Sequence, residues 1–107
     1  MTKRIHIALA VKNLAESIND YSKRLGVKPS FIAENKYALF RTESINFSIT
    51  QNKEEAGQLR HLGFEDSKAT KFSEITDVNG IKWEHFNQKQ QEDEIFKFYP
   101  EAIKKKF

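Results

Sequence analysis

The sequence predicts an α+β fold, strand-rich with one secure helix, and three observations carry that expectation. Residues 4–11 alternate as a strand does, residues 14–25 carry an apolar stripe at helical spacing, and Asp77-Val-Asn-Gly separates two further strand-like runs. With 107 residues the chain is one domain (1–107) and excludes a large multidomain enzyme.

In the first strand, Ile5, Ile7, Leu9 and Val11 share one face, and His6, Ala8 and Ala10 share the other. The bulky face suits packing under a helix. The small face leaves room around a histidine. The helix that follows opens at Asn13, a good cap with Glu16 three residues on. It buries Leu14, Ile18, Tyr21 and Leu25 and stops at Gly26, with Pro29 barring continuation. Extended segments at about 30–34, 37–42 and 45–51 complete a β-α-β-β-β first half (4–52), and the polar stretch 51–58 reads as a linker.

The second half (58–87) starts as the first did. His61 lies opposite Leu62 and Phe64, and a hairpin joins 72–76 to 81–86 through an Asn-Gly turn. Residues 88–107 form a charged C-terminal segment, for which a helix over about 91–105, interrupted at Pro100, is expected.

The balance of 18 Lys+Arg against 15 Asp+Glu is only mildly basic, and much of the excess sits in Lys104, Lys105 and Lys106. No nucleic-acid partner is expected on that basis. There is no run long enough for a membrane span, no cysteine and no leader-like start, so a cytoplasmic, reducing home is expected and no membrane partner. Glycine-rich phosphate loops, Gly-x-Ser-x-Gly and His-Glu-x-x-His are absent from the sequence.

His6, His61 and Glu84 are the residues that can carry chemistry together. Each falls on a strand, the two histidines opposite their bulky neighbours and Glu84 opposite Trp83 and His85. Two imidazoles and a carboxylate suit Fe(II), Zn, Ni, Mn or Co, and form the facial set of non-haem Fe(II) sites. Singly they are ordinary strand residues, and no local spacing joins them. Tyr37 and Arg41 are candidates to meet an anionic substrate, although such residues more often form cross-strand pairs.

Ile5-His-Ile-Ala-Leu-Ala-Val through Ser17-Ile-Asn-Asp-Tyr to Leu25-Gly, then His61-Leu-Gly-Phe, then Asp77-Val-Asn-Gly-Ile-Lys-Trp-Glu occur in the order seen in one superfamily. Over most of residues 4–86 the chain resembles the vicinal oxygen chelate superfamily, the glyoxalase I, bleomycin-resistance and extradiol-dioxygenase group. Val78 stands where that pattern carries proline. The resemblance implies tandem βαβββ modules forming a cup-shaped sheet, with His6, His61 and Glu84 as ligands of one divalent metal ion. It also implies a small-molecule substrate with adjacent oxygens, in a glyoxalase- or dioxygenase-like enzyme or a non-catalytic sequestration protein of the bleomycin-resistance type. The position of a fourth ligand falls near Asn46 or Ser48, neither a good ligand, so an open three-ligand site is expected, with Fe(II) favoured and Asn46 and Ser48 lining the cavity.

The stretch from Lys28 to Thr50 resembles the branch of cadmium-induced proteins and organoarsenical-cleaving lyases. That branch supplies a cysteine pair which this chain lacks, so arsenical cleavage is not expected. The link from Glu65 to Lys71 is too short for the second module's helix. Leu62 and Phe64 are thereby left bare, and the expected covers are the C-terminal residues Ile95, Phe96, Phe98, Tyr99, Ile103 and Phe107 together with the second chain of a homodimer.

Overall fold

The computed structural model describes residues 3–105. Phe107 and Lys106 lie outside that range. An eight-stranded mixed sheet carries one helix on each face, an α+β architecture. In chain order the elements are β1 (Lys3–Val11), α1 (Leu14–Leu25), β2 (Phe31–Ala33), β3 (Tyr37–Arg41), β4 (Ile45–Gln51), a 3-10 turn (Lys53–Glu55), β5 (Leu59–Asp66), β6 (Ser73–Thr76), β7 (Lys82–Phe86), α2 (Gln88–Phe98) and β8 (Ile103–Lys104).

The strands lie in the order β6-β7-β5-β1-β4-β3-β2-β8. At the centre β1 and β5 run antiparallel, and each has a parallel neighbour on its outer side, β4 and β7 respectively. The alternation of β1 sets two faces for the whole sheet. His6, Ala8 and Ala10 lie on one, and Leu9 and Val11 on the other, where they join Leu14, Ala38, Phe40 and Ile49 beneath α1. Asn13 caps α1 by accepting from the Glu16 amide, and Gly26 ends it at φ 74°, a left-handed value that glycine adopts without strain.

α2 differs from its expected bounds. Asn87 and Gln90 form a reciprocal capping box that starts the helix at Gln88, and it stops at Phe98, short of Pro100. Beyond the proline the chain becomes β8, pairing with Phe31 and Ile32. The helix also lies on the face opposite to the expected one. It packs on the His6 face, where Ile95 joins Phe31, Ala33, Tyr37, Leu39 and Ala102. Gln91, one turn before Ile95, meets the buried amide of Asn46 there. With α2 on the His6 face, the described part of the C-terminal segment does not cover Leu62 and Phe64.

No helix lies between β5 and β6 among the described residues, and the outer face there stays bare. Phe64 stacks on Trp83 at 5.9 Å with the Lys3 ammonium 5.3 Å from its ring, and Ile75 is 74% exposed. Because Ile95 fills the space between α2 and strands β2 and β3, Ile95→Ala is expected to cost about 2–5 kcal/mol of stability. Urea unfolding checks this, read as a lower midpoint at unchanged slope.

Candidate metal centre

Three neighbouring strands bring the histidines and the glutamate together. His6 of β1 pairs with Gly63 of β5, and Gly63 pairs in turn with Glu84 of β7. His61, two residues before Gly63, projects to the same face. Gly63 is the hub of this arrangement: a Cβ there would overlap the carbonyl oxygen of Glu84. Glu84 is set by the hairpin before it, in which the Asp77 carboxylate accepts from the Asn79 and Ile81 amides and from the Trp83 indole.

The three donor atoms form a small triangle. His6 Nε2 lies 3.1 Å from His61 Nε2, which lies 3.1 Å from Glu84 Oε1, and the third side is 3.8 Å. Metal–ligand bonds of about 2.0–2.2 Å place neighbouring ligand atoms about 3.0–3.5 Å apart. With small adjustments the triangle is of a size for one metal ion, and His6, His61 and Glu84 could hold one. His6 is buried, with the Phe86 ring edge-on at 5.1 Å, while His61 and Glu84 are part-exposed toward the cavity. Burial lowers the His6 pKa below the ordinary histidine value; the Asn46 hydrogen bond works against this and the nearby His61 reinforces it. A neutral imidazole is the form that binds metal.

Behind His6 lies a buried polar network. Asn46 Oδ1 stands 2.8 Å from His6 Nδ1, and its amide group donates to Glu65 at 2.8 Å and to Gln91 at 2.7 Å. Glu65 is gripped by Arg41, through Nε and Nη2, and by Arg4. Burial is the largest influence on the Glu65 carboxyl and raises its pKa, but the Arg41 and Asn46 hydrogen bonds and the two guanidinium charges together bring it below the usual carboxylate value.

A carboxylate with a depressed native pKa contributes its full stability above the unfolded value, about 4.3. That contribution is lost as pH falls from there through the native pKa, because the unfolded chain takes up the proton first. Urea midpoints of metal-free protein should thus drop below about pH 4.3, and Glu65→Gln should remove that part of the drop.

The cavity in front of the triangle holds about 650 Å³ and is walled by Tyr37, Ser48, Phe72, Ile81, Phe98 and Tyr99, among others. Tyr37 stacks on Tyr99 at 5.0 Å, and burial pushes its phenol far above the ordinary range, so it stays protonated. Tyr37 and Ser48 line this cavity. Arg41 and Asn46 do not line this cavity. Arg41 is spent on Glu65, because register sets it beside Asn46 on the strand next to β4, and Asn46 is fully buried behind His6. His85 turns away from the donor triangle, as alternation requires, and meets Asp66 on the other face.

Glu65 and Gln91 are the partners that sequence reasoning missed. The one available signal was that Glu65 follows His61 and Gly63 at a spacing of two, on the same face of one strand.

No family model and no curated protein matches the chain. Among solved structures, it is similar to the NAD-dependent benzaldehyde dehydrogenase from Legionella pneumophila, with 13% sequence identity, 78% of this chain and 99% of that chain covered, and a TM-score of 0.51. At that identity the likeness is one of fold alone. No helix among the described residues is long and apolar enough to cross a membrane.

Proposed function

We propose that the chain is a small metal-dependent enzyme of the vicinal oxygen chelate type, in which His6, His61 and Glu84 hold one divalent cation. The observation that carries this is the convergence of three donor atoms, from three strands, at the head of a cavity of about 650 Å³. The strand order supports it: two halves meet at β1 and β5, each with a parallel partner outside, as expected of paired βαβββ modules of which the second lacks its helix.

Two histidines and one carboxylate favour Fe(II), with Zn, Ni, Mn or Co as alternatives. When bound, such an ion supplies Lewis acidity toward a substrate with adjacent oxygens. The chain's own residues do the rest. Neutral His6 and half-buried His61 hold the ion on one side, Glu84 lowers its charge, and Tyr37 keeps a hydroxyl proton available to an oxygen in the cavity. Phe72, Phe98 and the stacked pair Tyr37–Tyr99 exclude water from the substrate's apolar part.

Elemental analysis of protein purified without chelator, followed by calorimetric titration with each of the five metals, tests the reading. One ion per chain is expected, and no stoichiometric ion from any of them overturns it. A tight small-molecule complex that is insensitive to chelator would instead favour sequestration without catalysis.

The same reading proposes a homodimer. Phe64, Trp83 and Ile75 form an apolar face that continues to the unpaired edge of β6, and a two-fold pairing covers both copies at once. Light scattering at micromolar concentration is expected to give twice the chain mass. A monodisperse monomer removes the dimer and leaves the metal site untouched.

A further inference from the structure

We infer that Asn46, aimed by Glu65, is a positioning residue that holds His6 in its Nδ1–H tautomer and so turns a bare Nε2 toward the ion; this rests on the metal reading above. Charge at Glu65 sets the first constraint. Glu65 accepts hydrogen bonds from Arg41 Nε at 2.9 Å, Arg41 Nη2 at 2.7 Å, Arg4 Nη1 at 2.8 Å and Asn46 Nδ2 at 2.8 Å. Two guanidinium groups keep it ionised, so it can only accept.

The Asn46 side chain must therefore show its NH2 to Glu65. That leaves Oδ1 as the atom facing His6. Gln91 seals this direction through a paired amide contact: Asn46 Nδ2 donates to Gln91 Oε1 at 2.7 Å, and Gln91 Nε2 donates back to Asn46 Oδ1 at 3.1 Å. Both amide protons of Asn46 are then used. Only oxygens, Asn46 Oδ1 at 2.8 Å and the Asn46 carbonyl at 3.2 Å, lie against His6 Nδ1. Nδ1 must donate, and in a neutral ring Nε2 then carries the lone pair.

The sequence of constraints runs from surface-reaching arginines to the ligand atom: guanidinium fixes carboxylate, carboxylate fixes amide, amide fixes tautomer. The links span the centre of the sheet: Arg4↔Glu65 and Asn46↔His6 are register neighbours, Asn46 reaches Glu65 past β1, and Arg41 reaches it past β4 and β1. Gln91 adds a consequence for α2, whose docking against Asn46 becomes part of what holds His6.

The test reads the tautomer by nitrogen-15 NMR of the imidazole rings in metal-free protein, at a pH where His6 is neutral, and separately the affinity for Zn(II) by calorimetry. Wild type is expected to show one protonated Nδ1 and a bare Nε2 at His6. Asn46→Leu removes the side-chain acceptor at Nδ1, and it should let the Nε2–H tautomer appear and weaken Zn(II) binding about 10–100-fold. A protonated Nε2 in the wild-type protein overturns the inference without any variant. So does a folded Asn46→Leu protein that keeps both the tautomer and the affinity. A wild type that shows the expected tautomer but binds no metal ion overturns the metal reading while the hydrogen-bond assignment stands.

Discussion

His61→Ala should abolish tight metal binding while leaving the metal-free fold nearly as stable as before. His61 Nε2 is the middle corner of the donor triangle, 3.1 Å from each of the other two atoms, which are themselves 3.8 Å apart. Without it the remaining pair offers two ligands at its widest separation. The loss should exceed the roughly 10–100-fold that removal of an outer hydrogen-bond partner costs. Packing changes little, because the ring is part-exposed to the cavity and its close aromatic neighbour is His6, with centroids 5.0 Å apart. A ligand at one hundred times its dissociation constant stabilises the native state by about 2.7 kcal/mol. Wild-type protein should therefore melt higher when metal is added in that excess, and the variant should not. An equal shift in both would remove His61 from the ligand set.

Gly63→Ala should do more damage with a single methyl group. The new Cβ would run into the backbone carbonyl of Glu84, and main chain cannot swing aside as a flexible side chain can. β5 and β7 must separate, which costs about 1–3 kcal/mol or more. A domain of this size has about 5–15 kcal/mol in hand. The same separation moves Glu84 away from both histidines, so metal affinity should fall with stability. Denaturant unfolding and calorimetry on one preparation check both. A variant with unchanged stability and unchanged affinity would mean that the two strands can part without cost.

The three converging donors were legible in the sequence and what surrounds them was not. Alternation alone put His6 and His61 opposite their bulky neighbours and Glu84 opposite Trp83, since side-chain direction in a strand is a local property. The capped helix α1 and the Asn-Gly hairpin were legible for the same reason. Arg41 looked like a substrate contact because its partner, Glu65, lies on the far side of β4 and β1, and no local pattern reports a register across three strands. α2 was foreseen as a helix, yet its face was not. Its apolar residues suggested a cover for Leu62 and Phe64, whereas Gln91 decided the matter by finding a buried amide to pair with.

The order in which the ligands occur along the chain bears on how such a centre could come into being. Residue 6 is synthesised before residue 84 and before the helix that carries Gln91. Closing β1 against β5 and β5 against β7 requires long loops to be ordered before any contact rewards them. A half-made chain thus offers an ion one or two imidazoles and no enclosing shell. Metal is expected to enter a sheet that has already closed and to act as a late seal on it. Added ion should then slow unfolding far more than it speeds refolding, a division that stopped-flow measurements can read from the two arms of the chevron.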